Sequence, residues 1–178
     1  MISLLSGLPI ALRDLTAYPD VPGVEETGET CEENARLKAA HYARATTLTA
    51  VGEDSGFEVD ALGGEPGVRS ARFLGPEASY PERFHEIYRR LGGRGGSPAR
   101  FVCALALATP DGVVFETRQT VEGVLAPAPR GSQGFGYDPI LLIPPLGRTL
   151  AELTQAEKSA ISHRGQAVRA LRAFLESR

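Results

Sequence analysis

Residues 30–62 read TCEENARLKAAHYARATTLTAVGEDSGFEVDAL, and this stretch decides the fold class. Thr30 and Glu33 have the spacing of a capping box, in which each side chain accepts a hydrogen bond from a backbone N–H at a helix start. A helix is therefore predicted from about Cys31 to Ala45. The apolar run from Leu48 to Gly52 predicts a short buried strand directly after it. Ala35, Ala39 and Ala43 are small enough for this helix to pack closely on a sheet.

Two carboxylates, Glu53 and Asp54, follow this strand, and a second strand is predicted from Phe57 to Leu62. Adjacent acids at the end of an apolar strand need a partner that offsets their charge. With Glu26, which precedes the helix, they form a set of hard oxygen ligands suited to Mg²⁺, and such an ion would orient and acidify an attacking water. Taken alone, Glu25 and Glu26 are more simply interpreted as a solvated acidic loop.

Lysine is rare in this chain. Only two of the 19 basic residues are lysines, Lys38 and Lys158, and both lie in dense polar clusters of the sequence. A lysine ammonium is a compact charge that fits against one phosphate oxygen, whereas arginine presents a wide planar fork. The two lysines are therefore candidates for phosphate contacts, with chance codon usage as the alternative.

Further elements are predicted on both sides of the glycine-rich middle of the chain. Pro110-Asp111-Gly112 predicts a tight turn between strands at 100–108 and 113–124. The apolar stripe of residues 81–91 predicts a helix. Near the start of the chain, Ile10 to Leu12 has the pattern of a short strand.

The last third of the chain carries a glycine-rich loop, residues 131–139, with two aromatic residues beside its glycines. Thr154 and Glu157 form a second capping box, which starts a helix containing Lys158. His163 lies near the start of a final amphipathic helix, where backbone donors and the helix dipole favour anions or ligand carbonyls. An ordinary helix junction is the alternative for His163.

Composition limits the class of protein. The 178 residues, 42% hydrophobic and 23% charged, predict a globular protein over 1–178 that forms either one ordinary domain or two lobes that share one sheet. The formal charge of −3 provides no basic field, so polymeric nucleic acid is not an expected partner. No apolar run approaches the roughly 20 residues that span a bilayer, so no membrane is expected. Cys31 and Cys103 stand far apart, which predicts reduced thiols and a cytoplasmic protein.

Several familiar motifs are absent from the sequence. It contains no GxxxxGK[ST], and its glycine-rich loop precedes a strand instead of opening a helix, so neither a P-loop nor a Rossmann site is predicted. A serine hydrolase is disfavoured because there is no GxSxG, and because the acids before Ser55 would repel a developing oxyanion.

Four separated groups of motifs resemble the inosine/xanthosine triphosphate pyrophosphatase family in their order and spacing. They are residues 25–39 (EETGETCEENARLKA), residues 54–72 with DSG, LGGEPGV and SAR, residues 134–139 (GFGYDP), and residues 157–165 with EK and SHRG. The resemblance runs from about residue 20 to the C-terminus. It implies a Mg²⁺-dependent, homodimeric enzyme that cleans the nucleotide pool by hydrolysing ITP, dITP and XTP to monophosphate and pyrophosphate. It also implies an α/β fold, with an elongated mixed β-sheet flanked by helices and a central nucleotide cleft between two lobes.

The resemblance also implies roles for individual residues. Asp54 would be the general base and a metal-site acid, with Glu26 as the second metal-site carboxylate. Lys38 and Ser55 would contact phosphate. Phe135 would stack on the purine, and Gly136, Tyr137 and Asp138 would shape its pocket. The other nucleotide contacts would be Lys158, His163 and Arg164, of which the last two favour a 6-keto purine.

The sequence departs from the family pattern in two places. Glu53 stands where bacterial members often have Asp and eukaryotic members often have Glu, which indicates a tolerated variant. Family members begin with a strand and a TGNxxK-like loop that contacts the triphosphate, and this sequence contains no Thr-Gly-Asn. The expectation is either a start site assigned too late or a truncated variant that lacks one wall of the phosphate site. A nucleotide-binding protein with weak or no catalysis and an altered nucleotide phosphohydrolase therefore stay as alternatives.

Overall fold

The structure is a computed structural model that describes residues 2–93 and 95–178. The helices of this part of the chain are α1 (Cys31–Thr46), α2 (Tyr80–Arg90), α3 (Gln155–Ile161) and α4 (His163–Glu176). Its strands are β1 (Ala50–Val59), β2 (Pro66–Gly67), β3 (Pro98–Thr109), β4 (Gly112–Leu125), β5 (Leu141–Ile143) and β6 (Arg148–Thr149). Short 3₁₀ turns connect several of these elements.

The strands form one six-stranded sheet in the order β2-β1-β3-β4-β5-β6. Phe57 pairs with Gly67 between β1 and β2, and Leu142 pairs both with Val124 of β4 and with Thr149 of β6. These three strand pairs are antiparallel, although a mixed sheet was the expectation. The predicted α/β fold class is confirmed by this combination of one sheet with four helices.

The chain divides into two compact units, each with its own core. The first unit comprises the residues up to Asp54, Cys103–Gln119 and Arg164–Arg178. Its core residues recur at every second position of β3 and at helical spacing in α4, as expected for one strand face and one helix stripe. They are Cys103, Leu105 and Leu107 of β3, Ala167, Val168 and Leu171 of α4, and Leu5.

The second unit comprises Ser55–Val102 and Thr120–His163. Its core is rich in aromatic side chains. The rings of Phe57 and Tyr137 stack with their centroids 4.9 Å apart, and Phe101 lies 5.1 Å from Phe57. Such pairs add directional contacts to the burial of apolar surface, so they fix the orientation of the segments that carry them.

Helix α1 begins with the capping box that its sequence predicts. The Thr30 side chain accepts from the Glu33 N–H, and the Glu33 carboxylate accepts from the N–H groups of Glu29 and Thr30 at 2.7 and 3.3 Å. Residue 47 ends the helix in the left-handed conformation. The predicted bounds of this helix are confirmed to within one residue.

A seam of small residues joins α1 to β1. Ala35, Ala39 and Ala43 are fully buried at helical spacing. A Cβ at Gly52 of β1 would lie 2.2 Å from the Ala35 carbonyl oxygen and 2.5 Å from the Ala39 nitrogen, so only glycine fits there. The helix backbone therefore approaches the strand directly at Gly52.

The two strands predicted around the acidic pair are in fact one strand. β1 runs from Ala50 to Val59 without a break, so Glu53 and Asp54 lie inside a strand and not at its end. Period-two alternation then points these two neighbouring carboxylates to opposite sides of the strand. The strand predicted at Ile10–Leu12 is also absent, because that segment forms no strand pairing and its apolar side chains are exposed.

The hairpin of β3 and β4 and the helices α2, α3 and α4 all lie where the sequence predicts them, with ends that differ by a few residues. Among the described residues, no helix is both long and apolar enough to cross a membrane. Cys31 and Cys103 are buried and are not joined in a disulfide.

Candidate functional site

The candidate site of the first unit is a group of four side chains, Glu26, Asn34, Lys38 and Asp54, called here the Asp54 cluster. The Lys38 ammonium lies 2.7 Å from Glu26 Oε1 and 3.0 Å from Asp54 Oδ1. The Asn34 amide nitrogen donates to Asp54 Oδ2 at 3.2 Å. Asn34 and Lys38 lie one turn apart on α1, and the alternation of β1 turns Asp54 toward that helix.

The electrostatics of the cluster keep Lys38 charged. Burial by itself would lower the pKa of Lys38, but the hydrogen bonds from its ammonium to Glu26 and Asp54 outweigh burial and raise the pKa above its usual value. The side chains of Lys38 and Asp54 are 18% and 11% exposed, so water screens this ion pair less than it would a surface pair. The cluster is a partly buried site where two carboxylates converge on one cation.

The donor set of the cluster fits a hard cation. Mg²⁺ is held in proteins by one or two carboxylates and completes its shell with water or phosphate oxygens, and Glu26 and Asp54 supply two carboxylates that already share one positive charge. Within residues 2–93 and 95–178, no group of three or more His, Cys, Asp or Glu side chains forms an all-protein metal cage.

The other polar residues of β1 have different surroundings. Glu53 accepts a hydrogen bond from the Arg164 guanidinium at 2.8 Å. Arg164, which was predicted to contact the nucleotide, is therefore paired with an acid in this structure. Ser55 is half-buried in the same strand and belongs to the second unit. The roles predicted for Ser55 and Arg164 stay predictions.

The candidate site of the second unit is built around Phe135, Asp138 and Lys158. The Phe135 side chain is 61% exposed, whereas Asp138 and Lys158 are only 2% and 8% exposed. The Lys158 ammonium forms an ion pair with Asp138 Oδ2, and the Phe135 N–H donates to the same oxygen at 2.8 Å. The ammonium also lies 4.8 Å from the centre of the Phe135 ring. The buried ion pair thus fixes the backbone of Phe135, whose exposed ring can stack on a flat ligand.

Glycine at position 134 makes this arrangement possible. Gly134 has a φ of +82°, and an added Cβ would lie 2.1 Å from Asp138 Oδ2 and 2.8 Å from the Lys158 ammonium. Gly136 also has a positive φ, +63°. Both the backbone conformation and the space beside the ion pair require a residue without a side chain at position 134.

Two predicted site residues direct their side chains into the protein. Tyr137 is 2% exposed, stacks on Phe57, and donates from its hydroxyl to the Ser70 carbonyl at 2.9 Å. Burial raises the pKa of Tyr137 well above its usual value, so the hydroxyl keeps the proton that it donates. His163 is 6% exposed and stacks on Phe101, with ring centroids 5.0 Å apart. The structure thus gives Tyr137 a packing role, and its predicted part in shaping the purine pocket stays a prediction.

Three residues that support these sites were not predicted as site residues. Asn34 precedes Lys38 by four residues on α1, and its contact with Asp54 follows from this shared helix face. Ser70 accepts from the Phe57 N–H at 2.7 Å, and Arg83, 3% exposed, donates to the Phe73 and Gly75 carbonyls. The partners of Ser70 and Arg83 are backbone groups, so no pair of complementary side chains in the sequence indicates these contacts.

Comparison with known proteins gives a consistent result. The Ham1 family profile matches residues 1–174. A dITP/XTP pyrophosphatase of Exiguobacterium sp. (strain ATCC BAA-1283 / AT1b) is 48% identical over 170 residues, which are 96% of this chain and 87% of that protein. A dITP/XTP pyrophosphatase of Gloeobacter violaceus is 52% identical over 155 residues, covering 87% of this chain and 77% of the relative.

Solved structures are similar over almost the whole chain. A HAM1 protein from Coxiella burnetii superposes with a TM-score of 0.93 at 40% identity, covering 99% of this chain and 91% of the other. The Staphylococcus aureus Ham1 protein gives a TM-score of 0.85 at 42% identity, over 92% of this chain and 84% of the other.

Proposed function

The chain belongs to the Ham1 family, and on that premise we propose that it hydrolyses ITP, dITP and XTP to the nucleoside monophosphate and pyrophosphate. The observation that carries the proposal is the Asp54 cluster, in which a carboxylate held by two donors shares a lysine ammonium with a second carboxylate. Relatives named dITP/XTP pyrophosphatase, at 48% and 52% identity, support dITP and XTP as substrates of this chain.

The residues of the first unit suit the polyphosphate. The reaction cleaves the anhydride between the α- and β-phosphates and adds water, so a base must accept a proton from the attacking water. Asp54 is that base in the proposal, because Lys38 and Asn34 hold its carboxylate in place. Lys38 offers its ammonium to the negative charge of the phosphate oxygens.

Mg²⁺ is part of the proposal. Glu26 and Asp54 would hold it, and when bound the ion would offset phosphate charge and acidify a water. The support is chemical, since these two carboxylates already converge on a single cation.

The residues of the second unit suit the purine. Phe135 offers an exposed ring for stacking, and its backbone is fixed by Asp138, which is itself paired with Lys158. In the proposal Gly136, Tyr137 and Asp138 shape the pocket, while Lys158 and His163 contact the nucleotide. Arg164, a residue of the first unit, is a further nucleotide contact in the proposal. His163 and Arg164 favour a 6-keto purine because both side chains can donate hydrogen bonds.

The proposal also includes a cytoplasmic homodimer, as the resemblance implies. Two buried cysteines that form no disulfide suit a reducing compartment. Sedimentation of the purified protein would measure its oligomeric state.

The test is to incubate the purified protein with ITP, dITP, XTP, GTP or ATP, with Mg²⁺ or with a chelator, and to identify the products. We expect pyrophosphate and monophosphate from the first three substrates, faster than from GTP or ATP, and no turnover with the chelator. Release of orthophosphate would instead indicate an altered phosphohydrolase. Nucleotide binding without turnover would indicate a binding protein.

A further inference from the structure

Asn34 is the fully buried polar member of the Asp54 cluster, and its amide contacts Asp54 on β1 and the backbone of Gly28. Its Oδ1 accepts from the Gly28 N–H at 2.8 Å, and its Nδ2 donates to Asp54 Oδ2 at 3.2 Å. A backbone N–H can only donate, so the contact with Gly28 fixes which end of the amide faces Asp54. The amide group is thus used at both ends, with its donor directed at the carboxylate.

The contact with Gly28 ties Asn34 to the loop that carries Glu26. A Cβ at Gly28 would lie 2.7 Å from Asn34 Oδ1 and 2.7 Å from Glu33 Cβ, so the approach requires glycine. The next two N–H groups, those of Glu29 and Thr30, donate to the Glu33 carboxylate. Side chains of α1 therefore hold three consecutive N–H groups of this loop.

The contact with Asp54 fixes the plane of its carboxylate. The χ2 torsion of aspartate has a broad energy minimum, so a single donor leaves the carboxylate free to turn. Here Lys38 binds one oxygen at 3.0 Å and Asn34 binds the other at 3.2 Å, from consecutive turns of one helix. Lys38 also binds Glu26, whereas Asn34 carries no charge to share with phosphate.

We propose that Asn34 is a positioning residue for the reaction, which orients the Asp54 carboxylate and couples it to the Glu26 loop through Gly28. The inference rests on the proposed function, since Asp54 acts there as the base. Asn34 touches no reacting atom in this proposal. A base displaced by about 1 Å can cost on the order of 10²-fold in rate.

The main test variant is Asn34→Asp, which keeps the side-chain size and the acceptor for Gly28 but replaces the donor facing Asp54 with a carboxylate oxygen. We expect kcat on ITP to fall about 10- to 100-fold while KM changes little, because the chemical step is affected and the substrate contacts remain. Gln119→Glu is the matched control. It makes the same amide-to-carboxylate change where the amide donates to the Thr117 hydroxyl, and kcat should not change.

A second measurement uses no activity. Asn34→Asp and Asp54→Asn should each lower the free energy of unfolding, and together they should lower it by less than the sum, because the double variant restores an amide opposite a carboxylate. Additive effects would overturn the proposed contact. If the wild type hydrolyses none of the nucleotides, the proposed function fails, and this cycle still judges the contact.

Gly28→Ala supplies a variant for the case in which Asn34→Asp does not fold. The added Cβ would press on Asn34 Oδ1 and on Glu33 Cβ and leaves the amide donor to Asp54 in place, so a smaller fall in kcat at nearly constant KM is expected. A wild-type kcat in folded Asn34→Asp, or a rise in KM alone, would overturn the positioning role. The same result in Gly28→Ala would overturn the coupling to the Glu26 loop.

Discussion

Asp54 has a hydrogen-bond donor at each of its carboxylate oxygens, and both donors come from α1. A carboxylate that is fixed in this way loses little entropy when it accepts a proton from a positioned water. Asparagine has nearly the same size and shape as aspartate, so Asp54→Asn removes the base without changing the shape of the site.

We expect Asp54→Asn to lower kcat by about 10² to 10⁴-fold, the usual contribution of a general base, while nucleotide binding stays largely intact. Initial rates on ITP and calorimetric titration with a non-hydrolysable analogue measure the two quantities. Asp60→Asn is the control, since Asp60 is paired with Arg100 and lies outside the candidate site. Equal activity of Asp54→Asn and wild type would remove Asp54 from the mechanism.

At the residue scale, the sequence predicts which charged side chains lie close together, but it does not predict which other residues hold the surrounding backbone in place. Glu26, Lys38 and Asp54 were singled out from composition, spacing and resemblance, and the structure brings them together. Arg83 could not be predicted, because a buried arginine that binds backbone carbonyls looks in sequence like any surface arginine on a helix. The functional roles of the gathered residues stay predictions.

At the scale of elements, capping boxes set the helix starts. α3 begins after Thr154, whose N–H donates to Glu157 Oε2 at 2.8 Å, and Arg148 donates to Glu157 Oε1 at 2.7 Å. These contacts, first the one with Arg148 and then those with Thr154, lower the pKa of Glu157 from 4.5 to about 2. The ionised carboxylate is therefore favoured in the folded protein.

The sign of the pH effect follows from this shift. A carboxyl group with a lowered pKa stabilises the fold above its unfolded value near 4.5, and the contribution is lost as the pH falls toward 2. We expect Glu157→Gln to destabilise the protein at pH 6 and to differ progressively less from wild type at pH 4 and pH 3. Urea unfolding at the three pH values measures the difference. The exposed Glu77→Gln serves as control, and a gap that widens toward low pH would contradict the assignment.

Element boundaries were predicted well where the signal is local. The capping boxes mark α1 and α3, and Pro110-Asp111-Gly112 marks the β3–β4 hairpin. The interruption predicted at Glu53-Asp54-Ser55-Gly56 was wrong, because these residues favour turns in isolation while pairing with neighbouring strands keeps them extended. Sheet pairing is a long-range effect, and no local pattern reports it.

At the scale of the whole molecule, each unit has a core of its own, while three strands contribute residues to both. The unit boundaries fall after Asp54 in β1, after Val102 in β3 and after Gln119 in β4. Unfolding either unit alone would therefore require these strands to lose their order part-way along their length. We expect the two units to unfold together.

Leu171→Ala and Leu153→Ala test this expectation, because each removes a buried side chain from a different core. Each should lower the free energy of unfolding by about 2 to 5 kcal/mol. Hydrogen exchange read by mass spectrometry as denaturant is raised should show α2 and α4 losing protection in one transition in both variants. Loss of protection in only the unit that carries the substitution would show that the units unfold independently.

The seam between α1 and β1 also limits how this gene can change. Every amino-acid-changing point mutation of a glycine codon adds at least a Cβ, which Gly52 has no room for beside Ala35 and Ala39. Most such changes of an alanine codon likewise enlarge the side chain, and these alanines are fully buried. Almost no substitution is therefore tolerated where the helix that carries Asn34 and Lys38 contacts β1. The placement of this helix beside Asp54 should persist while exposed positions diverge.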